Sequence, residues 1–471
     1  MHMGGIFGIA QKSDCVSELF YGTDYLSHLG TKRGGMAVSG PSGFNWKIHR
    51  LESSYFRTKL EPNLGSFKGN IGVGAISDTD AQPLTFTSHL GRFSIASVGR
   101  ITNTEELAQK AKASHCFFSG ASDGSVRPTE VIAMLLSAEK TFEDGIRSIH
   151  EKVKGSCTFV ILTPDGIYGC RDKLGRTPLL LGKSEKGYAL SSESSAFLNL
   201  GYSPLRDIGP GEAVFVSPDG VETRIAPGDK MQICTFLWVY YGYPSSEYEG
   251  INVEAFRYRC GACLGQEDDV AVDLVGGIPD SGIGHAVGYA NSRHLPYQRP
   301  IVKYTPTWPR SFMPQNQASR DLVAKMKLIP NRSLIEGKRV VFLDDSIVRG
   351  TQLRDNAQIL YNYGAKAVHM RIACPVLVYP CEFLNFSSSR SALELIGLKA
   401  ILDIEGVEGK DLTRYTNAND PKNAAMVEWI RNKLQLTTLK FQKLDNLVKA
   451  VGLPKEKLCT HCWDGSSWGH K

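Results

Sequence analysis

The stretch Arg339-Val340-Val341-Phe342-Leu343-Asp344-Asp345-Ser346-Ile347-Val348-Arg349-Gly350-Thr351 decides the fold of this chain. Val340 to Leu343 is a short, branched apolar run, long enough for one fully buried strand. Two adjacent carboxylates follow, then a loop of Ser, Arg, Gly and Thr. A helical pattern comes next, with Leu353, Ala357, Leu360 and Tyr363 on one face and Gly364 placed to end it. A strand breaking into a small-residue loop at a helix N-terminus is an anion site. The first N–H groups of the helix lack partners, Gly350 lets backbone approach a ligand, and Ser346 and Thr351 add hydroxyl donors. Asp344 and Asp345 suit sugar hydroxyls, or a Mg²⁺ that neutralises a second phosphate. A lone Asp-Asp pair would as readily cap the next helix; the whole string in working order favours a binding site.

Upstream, Val270 to Val275 reads as a strand running into Gly276-Gly277-Ile278-Pro279-Asp280-Ser281-Gly282. Ala286 to Ser292 and Arg320 to Lys327 read as helices, and Pro300 to Lys303 and Ala367 to Ala373 as strands. This alternation predicts a mostly parallel sheet with right-handed crossovers, binding its ligand beyond the carboxyl ends of the strands. Together these phrases resemble the phosphoribosyl pyrophosphate (PRPP) loop and pyrophosphate loop of type I phosphoribosyltransferases, in the version found in amidophosphoribosyltransferases. The resemblance implies that Asp344 and Asp345 hold ribose and Mg²⁺, with Ser281 beside the metal. It implies that Ser346, Val348, Arg349, Gly350 and Thr351 cradle the 5′-phosphate, and that Asp280, Ser281 and Gly282 bind pyrophosphate. Lys303 and Arg310 fall in the family's mobile loop, here Lys303 to Gln315. Its middle departs: Tyr304-Thr305-Pro306-Thr307-Trp308-Pro309 carries prolines that stiffen a segment expected to swing.

Residues 4 to 230 read as a β-rich domain. Gly5 to Ala10, Ile71 to Ile76, Phe93 to Val98 and Thr158 to Leu162 are candidate strands; Thr104 to Lys112 and Glu130 to Leu136 have helical composition. Arg171-Asp172 with Gly175, Arg176 and Pro178, Leu190-Ser191-Ser192-Glu193, and Gly209-Pro210-Gly211-Glu212 resemble the glutaminase domain of the same family. The resemblance implies an αββα fold of the N-terminal-nucleophile type. The expected fold class is therefore mixed: this α+β domain, then an α/β phosphoribosyltransferase domain over 231–471. The glutaminase tools are missing. Gly4 stands where the family has its nucleophilic cysteine, whose thiolate attacks glutamine and whose free amine is the base. The family's Arg-Tyr carboxylate clamp aligns with Ala75-Ile76, its oxyanion Asn-Gly with Val98-Gly99, and a further acid with Pro128. A Cys-to-Gly exchange accounts for position 4 alone, whereas four losses in one site predict a domain without deamidation chemistry.

Cys459-Thr460-His461-Cys462 near the C-terminus, Cys234 and Tyr379-Pro380-Cys381 resemble the iron–sulfur ligands of cluster-bearing amidophosphoribosyltransferases. The resemblance implies a [4Fe–4S] cluster on Cys234, Cys381, Cys459 and Cys462. A rival pairing joins Cys260 and Cys263 with Cys459 and Cys462 around zinc.

The bounds agree with such a protein. A chain of 471 residues predicts two or three domains, and 42% hydrophobic with 22% charged residues is ordinary for a globular protein. The charge of +6 is not gathered into a basic block and gives no reason to expect nucleic acid. No apolar run approaches a membrane span and no secretory signal is evident. Eleven cysteines in this length suggest reduced thiols or metal ligands, hence a cytoplasmic setting. Expected cofactors are the [4Fe–4S] cluster and Mg²⁺; expected partners are PRPP, purine nucleotides and further copies of the chain as a homo-oligomer. The expected activity is ammonia-dependent formation of 5-phosphoribosylamine, with a non-catalytic PRPP or nucleotide sensor as the competing reading.

Overall fold

Two antiparallel sheets stacked face to face organise the N-terminal half of the chain, in a computed structural model describing residues 4–113, 118–119, 125–304, 328–384, 392–407 and 411–467. The first sheet is seven-stranded, in the order Ser203–Asp207, Leu180–Lys183, Gly187–Ser191, Gly5–Gln11, Ile71–Ser77, Arg33–Gly40 and Gly43–Arg50. The second has six strands, in the order Val221–Ile225, Ala213–Val216, Ile167–Cys170, Thr158–Leu162, Gly91–Val98 and Leu84–Ser88. Alternation along the strands builds the layers. In Thr158–Leu162, Val160 and Leu162 join the core between the sheets, while Phe159 and Ile161 join a second core under the helices Pro128–Ser137 and Phe142–Lys152. The helix Val16–Asp24 covers the outer face of the first sheet, its Leu19 meeting the space above Gly72. This is the αββα arrangement.

In the C-terminal half, four parallel strands run in the order Leu274–Gly277, Arg339–Asp344, Ala367–Ile372 and Thr438–Phe441. The helices Val253–Gln266 and Ile283–Arg293 pack on each other so closely that a Cβ on Gly261 would lie 1.9 Å from the His285 carbonyl oxygen. The expected strand over Val270 to Val275 is corrected: the strand is Leu274–Gly277. Asp273 lies outside it because its carboxylate caps the next strand, accepting from the Arg339 backbone N–H at 2.7 Å and pairing with its guanidinium. The strand extends instead into two glycines, where a Cβ on Gly277 would sit 2.8 Å from the Gly282 carbonyl carbon. Tyr363 is corrected too: it caps the helix Thr351–Asn362 and is exposed, while Ala357 and Leu360 are buried. The expected helix over Arg320 to Lys327, Arg310 and most of the Lys303 to Gln315 loop lie outside the described residues.

Candidate functional site

The apolar run of the opening stretch is strand Arg339–Asp344, and its carboxyl end delivers both acids to the rim of the parallel sheet. The neighbouring strand delivers Pro279 to Gly282 to the same rim: Ile278 N–H donates to the Leu343 carbonyl at 2.9 Å. A Cβ at position 282 would lie 2.1 Å from that carbonyl oxygen, so only glycine allows this approach. The Ser281 hydroxyl then donates to Asp344 Oδ1 at 3.0 Å, which also accepts the Asp345 N–H at 2.9 Å. Ser346 donates to Asp345 Oδ2 at 2.5 Å. Burial, and then Asp345 beside it, push the Asp344 carboxyl well above the usual carboxylate range; burial raises Asp345 as well. An oxygen-rich pair short of counter-charge is what a hard divalent cation satisfies, so the donor set fits Mg²⁺.

Support comes from a residue that sequence reading missed. Arg257, almost fully buried, lies close enough to favour the ionised Asp345. Its guanidinium donates to the carbonyls of Trp238, Tyr240 and Gly242 at 3.0–3.1 Å. These carbonyls are gathered by a wide π-type turn over Leu237–Tyr241.

Beyond the acids, Val348 O accepts the Ile396 N–H at 2.8 Å, and exposed Arg349 pairs with Glu394 at 2.6 Å. Gly350 opens the helix Thr351–Asn362 at φ +78°, where a Cβ would meet Ile396 Cδ1 at 2.5 Å. The Thr351 side chain lies outside the described residues. Lys303 forms an ion pair with Asp280 across the mouth of the site. Sequence-expected Asp280, Ser281, Gly282, Lys303, Asp344, Asp345 and Ser346 thus come together from segments distant in the chain.

In the N-terminal half, Gly4 sits at φ +85° with its N–H donating to the Leu29 carbonyl at 2.9 Å. A Cβ there would be 2.9 Å from the Ile76 carbonyl oxygen and 3.8 Å from Val98 Cγ2. Gly4, Ile76 and Val98 therefore do converge, but around this point they present backbone and methyl groups.

Cys234, Cys381, Cys459 and Cys462 line a single cavity of about 10 Å³, with Phe236, Phe383, Leu384, Trp463 and Arg176 completing its wall. Cys234 and Cys459 are cross-strand partners in a short parallel pair, and Cys462 O accepts from Val378 and Tyr379 N–H at 3.2 Å each. A hydrogen bond from Cys462 draws the Cys381 thiol below its ordinary value. Among the described residues no three His, Cys, Asp or Glu side chains converge as ligands of one ion. The four thiols match in chemistry the ligand set of an iron–sulfur cluster. Cys260 lies elsewhere, its thiol donating to Ala373 O at 3.2 Å, and Cys263 is absent from the cavity wall.

Comparison with known proteins agrees with this anatomy. A family model described as a glutamine amidotransferase domain matches residues 71–199. The amidophosphoribosyltransferase of Bacillus subtilis is 30% identical over 95% of this chain and 89% of its own length. That of Methanocaldococcus jannaschii is 30% identical over 98% and 97%. The Bacillus subtilis glutamine PRPP amidotransferase solved with ADP and GMP superposes with a TM-score of 0.84, at 29% identity, over 98% of this chain and 96% of that one. With a carboxylate-bearing loop beyond a parallel sheet and relatives matched over nearly its whole length, this chain belongs to the amidophosphoribosyltransferase family.

Proposed function

We propose that this chain binds Mg·PRPP across Asp280, Ser281, Asp344, Asp345 and the 346–351 loop, and converts it to 5-phosphoribosylamine with ammonia. The observation carrying this reading is the Ser281–Asp344 hydrogen bond, which closes the pyrophosphate loop onto the sugar-phosphate loop. Ammonia nitrogen forms a bond to C1 of the sugar, the C1–O bond breaks, pyrophosphate leaves with the electron pair, and the new amine loses a proton to water. The residues orient PRPP: the acids face the ribose hydroxyls, and the free N–H groups after Gly350 receive the 5′-phosphate. Mg²⁺ held by Ser281, Asp344 and Asp345 would neutralise charge on the departing pyrophosphate.

Ammonia replaces glutamine as donor because Gly4 offers no thiol, its nitrogen is engaged with Leu29 O, and Val98 lacks an oxyanion donor. Cys234, Cys381, Cys459 and Cys462 would hold a [4Fe–4S] cluster that ties the C-terminal tail to the strand Ile233–Cys234. Purine nucleotides are the proposed effectors, as the Bacillus subtilis relative was solved with ADP and GMP, and the proposed assembly is a homo-oligomer.

Pyrophosphate release from Mg·PRPP, on anaerobically purified protein, tests the reading. Turnover with ammonium chloride and none with glutamine is expected. Equal rates with both donors would refute the dead glutaminase, and binding without release under either would leave a PRPP sensor. Stoichiometric zinc in a colourless preparation would remove the cluster.

A further inference from the structure

The cysteine cavity is not walled by the C-terminal half alone. Arg176 comes from the N-terminal half and is only 3% exposed. Its guanidinium lies 3.8 Å over the Phe383 ring, and its Nη2 reaches Gln232 Oε1 at 3.3 Å and Ser467 Oγ at 3.1 Å. The backbone beneath is fixed: Arg176 N–H donates to Asp172 Oδ2 at 2.9 Å, and its carbonyl accepts from Cys234 N–H at 3.1 Å. Arg100 reaches over from the same half, donating from its backbone to Phe383 O and from its side chain to Cys381 O, both at 3.0 Å.

An iron–sulfur core on four thiolates is a net anion, and burying an anion is costly unless a cation or hydrogen bonds accompany it. Phe236, Phe383, Leu384 and Trp463 supply neither charge nor a strong donor to such a group beyond the indole N–H. Among the described residues Arg176 is the one cation in that wall.

We propose that Arg176 is the counter-charge of the cluster, so that the N-terminal half, stripped of deamidation tools, remains necessary for holding an iron–sulfur centre otherwise liganded by the C-terminal half. This rests on the cluster reading above. A cation beside the centre stabilises the reduced, more negative state, so it raises the reduction potential. It also slows release, because a charge-assisted hydrogen bond must break before iron leaves.

The test uses the full chain purified without oxygen as wild type, R176Q, R176M and R176K. Iron and sulfide content, a dithionite titration followed by electron paramagnetic resonance, and bleaching of visible absorption by a chelator are measured. R176Q is expected to titrate at a lower potential and to bleach on the order of tenfold faster, the effect of removing one charge-assisted hydrogen bond. R176K, keeping charge without the planar fork, should stay near the wild-type potential. R176M keeps the stem over Phe383 and gives the same reading should R176Q not fold. Wild-type iron content, potential and bleaching rate in R176Q, or in R176M, would overturn the proposal while leaving the cluster intact. A potential lowered equally in R176K would overturn the charge argument. Wild-type protein lacking iron and sulfide would overturn the cluster and this inference together.

Discussion

Ser281 Oγ donates to Asp344 Oδ1 at 3.0 Å, joining two loops 63 residues apart in the chain. Both loops leave adjacent parallel strands at their carboxyl ends, so the bond sets the spacing between the two places where PRPP would be held. Ser281→Ala should weaken Mg·PRPP binding by about tenfold, the cost of one hydrogen bond to a charged group. Calorimetric titration checks this, with the melting temperature of the unliganded protein expected to move little.

Gly350 takes φ +78° with Ile396 packed over it. Gly350→Ala should cost about 1–2 kcal/mol for the left-handed backbone alone, and displacing Ile396 adds to that. Because Gly350 begins the helix whose N–H groups are proposed to meet the 5′-phosphate, KM for PRPP should rise with the loss of stability. Denaturant unfolding and steady-state kinetics on the same preparation measure both.

Restoring a thiol at position 4 should not restore deamidation. Gly4→Cys forces a side chain into φ +85° and its Cβ to 2.9 Å from the Ile76 carbonyl oxygen. Glutamate release from glutamine is expected to stay at background, with a lower melting temperature. Glutamine hydrolysis above background would reverse this view of the pocket.

Arg257 holds three backbone carbonyls around the turn beneath Asp345. Arg257→Met leaves those acceptors buried and unpaired, so a loss on the order of 3 kcal/mol or more is expected. Asp345 would lose a favourable field as well, and Mg²⁺-dependent PRPP binding should need higher pH than in the wild type. Denaturation midpoints and titrations at two pH values separate these effects.

Asp207, where the two halves meet, is raised from its ordinary 3.8 to about 6, first by burial and then by Glu249, with Arg171 opposing. A carboxyl raised on folding contributes stability fully present below its unfolded pKa and lost as pH rises through about 6. Asp207→Asn should therefore match the wild type near pH 4 and exceed it above pH 7, by on the order of 2–3 kcal/mol. Unfolding curves across that range report the gap.

Much of the architecture was legible because its signals are local. Thr158–Leu162 is the strand its sequence suggests, and Arg339–Asp344 is the buried strand expected of a branched apolar run. Short strands such as Leu180–Lys183 carry too few residues to show a period, and the hairpin Arg33–Gly40 with Gly43–Arg50 is masked by glycines. Val270 to Asp273 reads as strand by composition, yet Asp273 is drawn off to cap Arg339.

By itself the sequence determined the strand, acid pair, glycine and helix of the loop proposed to cradle phosphate, and the absence of a nucleophile at Gly4, because each is a property of neighbouring residues. Only tertiary structure decided that Ser281 meets Asp344, that Arg257 lies near Asp345, and that Arg176 closes a cavity of cysteines. The Arg176–Ser467 contact spans 291 residues of chain, and no local pattern encodes it. Such pairings follow from burial: a charge packed out of water must find its partner wherever the folded chain brings one.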